Sequence, residues 1–159
     1  MTEPESLVKL ASYRIRLLEI AFYKSFEKVI TGYGTAPRYF GLLKIIQANP
    51  GSHQTQLAEA VFLDRSSLVP IIDTLKKEGW IERRPAPNDR RLRRIFLTDE
   101  GARKLDSLER QVLAHEATVT AGLTPDEIAT LLDLLARIDR NLRSALAPSP
   151  TLAETGDPS

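Results

Sequence analysis

Lysine and arginine side chains are concentrated in one short stretch of the chain. Positions 64–94 hold nine basic and five acidic residues, a net charge of +4, and the rest of the 159 residues carries −3. Ammonium and guanidinium groups bind phosphates, and a local basic patch attracts nucleic acid even when the whole chain is close to neutral, here +1. The alternative is a charged surface that is only solvated. The charge pattern makes nucleic acid the first candidate partner.

Several other kinds of chemistry are excluded by composition. The chain has no cysteine and only two histidines, His53 and His115, so thiol nucleophiles, disulfides and thiolate metal sites are absent. The paired carboxylates Asp126 and Glu127 fall in the first turn of a predicted helix, where capping and the helix dipole account for them. We therefore predict no catalytic residues, no cofactor and no metal.

Neither a membrane span nor a secretion signal is predicted. No run approaches the roughly 18 uninterrupted apolar residues of a spanning helix, and the first ten residues lack the apolar core of a signal peptide. With no cysteine to form disulfides, a cytoplasmic location without membrane contact is expected.

Hydrophobic periodicity predicts helices before the basic hairpin. Apolar residues at steps of three and four favour a long helix over 5–31. Thr35 and Pro37 suit the cap and first turn of a second helix, which ends near Ala48. A short helix over about 54–61 follows, with His53 or Ser52 at its start.

The fourth predicted helix begins at the cap Asp64 and ends at Glu78 and Gly79. Two strands, 80–83 and 93–98, then flank a long basic loop, which predicts a β-hairpin. Two short helices followed by a hairpin describe a winged helix-turn-helix.

Two more helices are predicted after the hairpin. The first begins at Thr98 and ends near Ala121, and the second begins at Thr124, where Pro125 and Glu127 complete a strong start signal. The last helix should bury one apolar face, made of Ile128, Leu131, Leu132, Leu135, Ile138 and Leu142. A polar tail over 148–159 is predicted to be disordered.

The segment NDRRLRRIFLTDEG, residues 88–101, resembles the wing signature of the MarR family of transcriptional regulators. Residues 56–59, 64–69 and 72–83 also resemble the helix-turn-helix of that family, and the likeness extends over about 5–146. It implies a mainly α fold with a small β-hairpin, in a single domain over 1–147. The winged helix-turn-helix would occupy about 35–98, and dimerisation helices about 5–31 and 99–146.

The resemblance implies a homodimer that binds a pseudo-palindromic operator in double-stranded DNA. Side chains on the reading helix would contact base edges, the start of the preceding helix would contact phosphates, and Arg91 would enter the minor groove from the wing tip, with Asp89 orienting the loop. The DNA-binding residues expected in this way are Gln54, Thr55, Arg65, Ser66, Ser67, Val69, Pro70, Asp73, Asp89, Arg90, Arg91 and Arg93.

Two features leave alternatives open. Pro70 lies inside the reading helix, where it removes a backbone hydrogen bond and favours a kink near Ser66. A winged-helix module that binds another protein, without specific DNA binding, is therefore the second hypothesis. Arg94 is either a phosphate contact or a strand residue that faces solvent.

Seven of the ten aromatic residues lie between positions 13 and 40. In the family this region forms a cleft for small effectors, and an aromatic or carboxylate ligand is expected here because the chain has no cysteine for peroxide sensing and no histidine cluster for metal sensing. The regulator would be a repressor that the ligand releases. The candidate ligand residues are Tyr13, Arg16, Arg38, Tyr39 and His115; the alternative is that the aromatics only pack in the core or a dimer interface.

Overall fold

The computed structural model describes residues 3–86 and 89–146; for residues 86 and 89–92 only the backbone is described. The chain forms two compact units, Met1–Thr118 and Val119–Ser159. The helices are α1 (Glu5–Val8), α2 (Ala11–Val29), a 3-10 helix (Ala36–Tyr39), α3 (Phe40–Ala48), α4 (Gln54–Ala60), α5 (Arg65–Lys77), α6 (Asp99–Val119) and α7 (Pro125–Leu146). The strands are β1 (Ser52–His53), β2 (Ile81–Ala86) and β3 (Asp89–Leu97).

The three strands form one antiparallel sheet in the order β1-β3-β2. The predicted class, mainly helical with a small β-hairpin, is confirmed. The two-residue strand β1 was not predicted, because a pairing of Ser52 with Ile95 joins positions far apart in the sequence. No described helix is long and apolar enough to cross a membrane.

One apolar core holds the first unit together. Its fully buried side chains come from the middle helices, the hairpin and α6, and they are Leu43, Ile46, Leu57, Leu68, Ile72, Leu75, Ile81, Ile95, Leu105 and Leu108. Each such side chain contributes about 1.5–3 kcal/mol relative to an exposed one. The core therefore fixes α5 and the hairpin on the same body.

A cap at Thr98 connects the hairpin, α5 and α6. The Thr98 hydroxyl accepts a hydrogen bond from the Gly101 N–H at 2.8 Å, and it donates one to the Gly79 carbonyl at 2.7 Å. Gly101 lies so close to the Trp80 carbonyl that a Cβ atom would be 2.1 Å from that oxygen. The predicted start of α6 is thus also a junction with the end of α5, where Gly79 has a positive φ of 80°.

The secondary structure near the N-terminus differs from the prediction. The helix predicted over 5–31 is interrupted, because Leu10 takes an extended conformation with ψ 117°. Thr35 is the N-cap residue of the 3-10 helix and Pro37 lies in its first turn, but the Thr35 side chain makes no capping bond; its N–H and hydroxyl donate to the Glu78 carboxylate.

The N-cap of α4 is His53, whose N–H donates to Gln56 Oε1 at 2.9 Å, whereas the Ser52 hydroxyl donates to the Asn49 carbonyl. The hairpin strands also extend further than predicted. Pro85 pairs with Arg93 and Ala86 with Asp89, so the register shifts between Pro85 and Ala86, beside a proline that cannot donate to the ladder.

The apolar face predicted to be buried on α7 is exposed. No residue of α7 is buried, and Leu132 and Leu142 are 60% and 57% exposed. This prediction is wrong for the single chain, because an amphipathic stripe is buried only where another apolar surface covers it, and α7 by itself offers none. The predicted cap of α7 is confirmed, since the Thr124 N–H donates to Glu127 at 2.7 Å.

Candidate nucleic-acid interface

The helices α4 and α5 are joined by a tight turn. The Leu63 N–H donates to the Ala58 carbonyl at 2.9 Å, and Phe62 has φ 56°, in the left-handed region that residues other than glycine seldom adopt. Leu57 of α4 and Leu68 of α5 are both fully buried in the core. The two helices therefore form a helix-turn-helix, in which α5 is the second helix.

The polar residues of α5 lie on its exposed side. Leu68, Ile72 and Leu75 are buried and Val69 is half-buried. We call five of the exposed residues the reading face: Arg65, Ser66, Ser67, Pro70 and Asp73. Five of the six sequence-predicted residues of this helix are thus exposed, and the sixth, Val69, is half-buried.

Pro70 lies inside α5, and the helix is continuous from Arg65 to Lys77. A proline at this position cannot donate to the Ser66 carbonyl, so one backbone hydrogen bond is missing. The Thr74 hydroxyl donates to the Pro70 carbonyl at 2.9 Å in the following turn. The helix therefore continues beyond Pro70 to Lys77.

Asp64 organises the first turn of α5. Its carboxylate accepts hydrogen bonds from the Ser67 N–H at 2.7 Å, the Ser66 hydroxyl at 2.5 Å and the Ser67 hydroxyl at 2.8 Å. These bonds, the Ser66 hydroxyl first, lower the pKa of Asp64 from 3.8 to about 2. Because each hydroxyl has a single hydrogen, both serines present only lone pairs away from Asp64.

The hairpin has two chemically different faces. The face that continues into the core carries Ile81, Arg83 and Ile95, and the other carries Arg84, whose guanidinium lies 4.6 Å above the Phe96 ring. Arg94 pairs with Arg84 across the strands and is half-buried. It is thus not the freely solvated strand residue that the sequence left open.

A cleft of about 480 Å³ lies between α4, α5 and the hairpin. We call it the basic cleft, and its lining residues are Gln54, Val69, Lys76, Arg83 and Arg93. Asp73 forms an ion pair with Arg83, with 2.6 Å between Oδ1 and Nη1. Three predicted residues therefore meet there, and Asp73 is held towards the hairpin.

One further predicted DNA-contact residue lies in α4, and three have side chains outside the residues that the structure describes. Thr55 is exposed in the first turn of α4. The side chains of Asp89, Arg90 and Arg91 lie outside the described residues, as does the predicted disordered tail.

A second candidate site borders α2 and the 3-10 helix. A cavity of about 320 Å³, which we call the tyrosine cavity, is lined by Tyr23, Phe26, Glu27, Ile30, Gly34, Thr35, Pro37, Arg38 and Tyr39. The Arg38 guanidinium lies 5.4 Å from the Tyr23 ring centre, and a hydrogen bond with Glu27 is the main cause that raises the Tyr23 pKa. The cavity thus combines aromatic walls with one cation, Arg38, and one carboxylate, Glu27.

The five predicted ligand residues are divided among different places. Arg38 and Tyr39 line the tyrosine cavity, whereas the Tyr13 hydroxyl donates to Glu3 and Arg16 pairs with Glu19. His115 lies in a separate cavity of about 390 Å³, where its Nε2 is 2.9 Å from the Ser25 hydroxyl. His115 is 6% exposed, and the Phe22 and Phe26 rings meet it nearly edge-on.

The wall of the tyrosine cavity is bonded to the end of α5. Glu78, the C-cap of α5, accepts from the Thr35 N–H and the Thr35 hydroxyl at 3.1 Å each. A Cβ atom on Gly34 would lie 2.8 Å from the same carboxylate, so only glycine fits there without a shift of Glu78. The cavity wall is therefore hydrogen-bonded to the C-cap residue of α5.

Comparison with known sequences shows the family of this chain. The sequence profile of the MarR family matches residues 36–92. Over 129 residues the chain is 35% identical to a Thauera aromatica protein named "putative transcriptional regulatory protein for hcr operon", and the match covers 80% of this chain and 78% of that protein. The chain belongs to the MarR family. Members of this family are transcriptional regulators rather than enzymes, which confirms the prediction that the chain is a regulator.

Solved structures of MarR-family regulators match most of the chain. The repressor CouR bound to a 23-mer DNA duplex is 29% identical with a TM-score of 0.81, over 88% of this chain and 99% of CouR. PcaV from Streptomyces coelicolor, in complex with its natural ligand, is 28% identical with a TM-score of 0.76, over 88% of this chain and 98% of PcaV. The winged helix-turn-helix fold is thereby confirmed.

Two residues of this MarR-family site were missed from the sequence. Lys76 lies two helical turns after Val69, which places both on one face of α5. Arg83 lies two residues after the buried Ile81, so strand alternation directs both to the same side. Both signals are present in the sequence, but the tertiary packing of α5 against β2 is needed to show that the two positions share a cleft.

The Asp64 network predicts a specific pH dependence. Asn is as good an N-cap as Asp, so Asp64→Asn removes mainly the charge. The folded-state pKa of about 2 lies below the usual 3.8, so the carboxylate stabilises the protein above pH 4 and this contribution is lost as the pH falls towards 2. We expect wild type to unfold at a higher temperature than the variant at pH 7, and the difference to shrink below pH 4. A difference in unfolding temperature that stays constant from pH 7 to pH 2.5 would contradict this role.

Proposed function

We propose that this MarR-family chain is a dimeric, sequence-specific DNA-binding repressor that a small aromatic or acidic ligand releases. The observation that carries the proposal is the exposed reading face of α5 beside the basic cleft. The same fold is present in CouR, which was solved on a DNA duplex. A polar helix face can form hydrogen bonds with base edges in the major groove, and cations beside it can contact the phosphates of the two strands.

Base contacts are proposed for the first turns of α5. Arg65 offers a planar fork to guanine, and Val69 can meet a thymine methyl group. Ser66 and Ser67 present hydroxyl lone pairs, because their hydrogens are directed to Asp64, and lone pairs match the amino groups of adenine and cytosine.

Phosphate contacts are proposed for the surrounding residues. Gln54 and Thr55 begin α4, and Arg90 and Arg93 belong to β3. Arg91 would enter the minor groove, with Asp89 orienting the wing. These contacts would fix the position of α5 on the duplex.

A second copy of the chain is proposed as the cover for the exposed apolar faces. On α7, Leu131, Leu132, Leu135 and Leu142 are all more than 40% exposed, and on α2 Leu18 is 67% exposed. An exposed row of apolar side chains along a helix is typical of an interaction site. Most homo-oligomers are two-fold dimers, and a two-fold dimer would present two reading helices to one duplex.

The tyrosine cavity supports the proposal that a ligand releases the protein from DNA. CouR was also solved bound to p-coumaroyl-CoA, with 27% identity and a TM-score of 0.75 over 88% of this chain and 99% of that chain, and PcaV with its natural ligand. In this chain Arg38 supplies a cation for a carboxylate, and the Thr35–Glu78 bonds connect the cavity to α5. A ligand must bind the DNA-free arrangement more tightly, by about 2.8 kcal/mol for a 100-fold loss of DNA affinity.

DNA binding is tested with the duplex that precedes the chain's own coding sequence and a shuffled duplex of equal length. Fluorescence anisotropy at physiological salt should show the native duplex bound at least about 100-fold more tightly. Arg91→Ala should weaken native binding about 10-fold, which is about 1.4 kcal/mol, whereas the exposed α6 control Arg103→Ala should have little effect. Equal affinity for both duplexes would favour the protein-interaction module instead.

Dimerisation is tested with a charge placed on the apolar face of α7. Wild type should show twice the 17.8 kDa mass of one chain in light scattering. Leu132→Glu should yield a folded monomer, because a buried unpaired charge is costly in an interface. Ala129→Glu adds the same charge towards the polar side of α7 and should remain dimeric. A dimeric Leu132→Glu protein would remove this face from the interface.

Release of DNA by a ligand is tested with four probes: benzoate, 4-hydroxybenzoate, p-coumarate and p-coumaroyl-CoA. At least one should lower the affinity for the native duplex. Arg38→Gln should abolish that response and leave ligand-free DNA binding unchanged, while Arg14→Gln, outside the cavity lining, should respond like wild type. An unaltered response of Arg38→Gln would exclude the tyrosine cavity as the ligand site.

A further inference from the structure

The segment between α2 and the 3-10 helix contains two glycines in the left-handed region. Gly32 has φ 87° and Gly34 has φ 61°, and other residues adopt such angles only with strain. Tyr33 lies between the two glycines, and Thr35 follows them as the N-cap residue of the 3-10 helix. We call residues 32–35 the glycine linker.

Tyr33 attaches the glycine linker to α6. Its hydroxyl accepts a hydrogen bond from Gln111 Nε2 at 2.9 Å and lies 2.9 Å from the Ser107 hydroxyl. Its ring centre is 6.3 Å from that of Trp80, which is buried directly before β2. Tyr33 therefore contacts α6 with its hydroxyl and the base of the hairpin with its ring.

Thr35 attaches the same linker to α5. Its N–H and its hydroxyl both donate to the carboxylate of Glu78, the C-cap residue of α5, at 3.1 Å each. A negative charge at the C-terminus of a helix is unfavourable because of the helix dipole. The two donors of Thr35 therefore stabilise a carboxylate that the helix itself does not.

The glycine linker is also part of the wall of the tyrosine cavity. Gly34 and Thr35 line this cavity, and so do three residues of the 3-10 helix. Thr35 is thus a cavity residue, the first residue of that short helix and a hydrogen-bond partner of α5. A ligand that contacts Arg38 would bind the same short helix whose N-cap residue is bonded to Glu78.

The backbone of this segment favours movement more than the helices around it do. A Cβ atom on Gly32 would meet nothing within 4 Å, so glycine is needed there for its backbone angle and not for space. Loop residues of this kind absorb changes in φ and ψ at hinges. The 3-10 helix that follows has poorer hydrogen-bond geometry than an α-helix. The wall of the tyrosine cavity is therefore the part of this region best able to take a second arrangement.

We propose that the glycine linker couples the tyrosine cavity to the DNA-binding helices, with Thr35 as the positioning residue towards α5 and Tyr33 as the positioning residue towards α6. The inference rests on the ligand response proposed above. A ligand that contacts the cavity wall changes the path of the linker. The hydrogen bonds of Thr35 and Tyr33 pass that change to the end of α5 and to α6, and neither residue has to contact DNA.

The test compares the effect of a ligand on DNA affinity in variants that lack one hydroxyl. Anisotropy with the native duplex is measured with and without benzoate, 4-hydroxybenzoate, p-coumarate or p-coumaroyl-CoA. Thr35→Val and Tyr33→Phe each remove a hydroxyl whose hydrogen bond contributes about two- to ten-fold to an equilibrium constant. The loss of DNA affinity that the ligand causes should be smaller than in wild type by about that factor. Thr35→Ser keeps the hydroxyl and should respond like wild type.

A second measurement separates coupling from ligand binding. Calorimetry without DNA should show that Tyr33→Phe binds the active probe about as tightly as wild type, because Tyr33 is not among the described residues that line the tyrosine cavity. Linkage requires that the duplex lowers probe affinity by the same factor as the probe lowers DNA affinity. Both factors should therefore fall together in the variant. Thermal unfolding establishes that each variant is folded before the factors are compared.

The outcomes separate the linker from the wider function. If wild type responds to a probe and both Thr35→Val and Tyr33→Phe respond to the same extent, the glycine linker does not carry the coupling and the inference is wrong. An equal loss of response in Thr35→Ser and Thr35→Val would also contradict it, since the hydroxyl would then not be the cause. If no probe changes the DNA affinity of wild type, the proposed release by a ligand is overturned, and the inference with it.

Discussion

Burial of the inner face of α5 is the constraint on which the reading face depends. Leu68, Ile72 and Leu75 share one core with Ile81 and Ile95 of the hairpin, so neither α5 nor the wing can turn without exposing apolar surface. The polar residues between these anchors must then face outwards. The exposure of the reading face is thus a consequence of packing on the opposite side of the same helix, and at roughly 1.5–3 kcal/mol for each buried side chain that packing is strong enough to fix the orientation.

Acidic residues control the basic surface at two points. Asp64 directs two serine hydroxyls at the start of α5, and Asp73 pairs with Arg83 along its length. A third carboxylate, Glu78, connects the end of α5 to Thr35 in the tyrosine cavity. The net charge of the chain is close to zero, but these acidic residues occupy defined positions along α5. These carboxylates contact α5 or its neighbours at the start, in the middle and at the end of that helix.

Local signals made much of this structure predictable. The caps at Asp64, Thr98 and Thr124 were located correctly, because each depends on contacts within a few residues. The strand β1 and the role of Thr35 could not be found that way, since their partners are Ile95 and Glu78, far along the chain. The cleft residues Lys76 and Arg83 also needed tertiary packing. The exposure of α7 has another cause, because helical periodicity shows which residues share an apolar face but not which surface covers that face.

In the dimer that we propose, two copies of α5 contact one duplex. Selection of bound sequences from a random duplex library tests this arrangement without an operator that is known beforehand. We expect enrichment of two inverted half-sites whose centres lie about 10 base pairs, or a small multiple of one helical turn, apart. Enrichment of a single unrepeated half-site, or of no sequence at all, would contradict it.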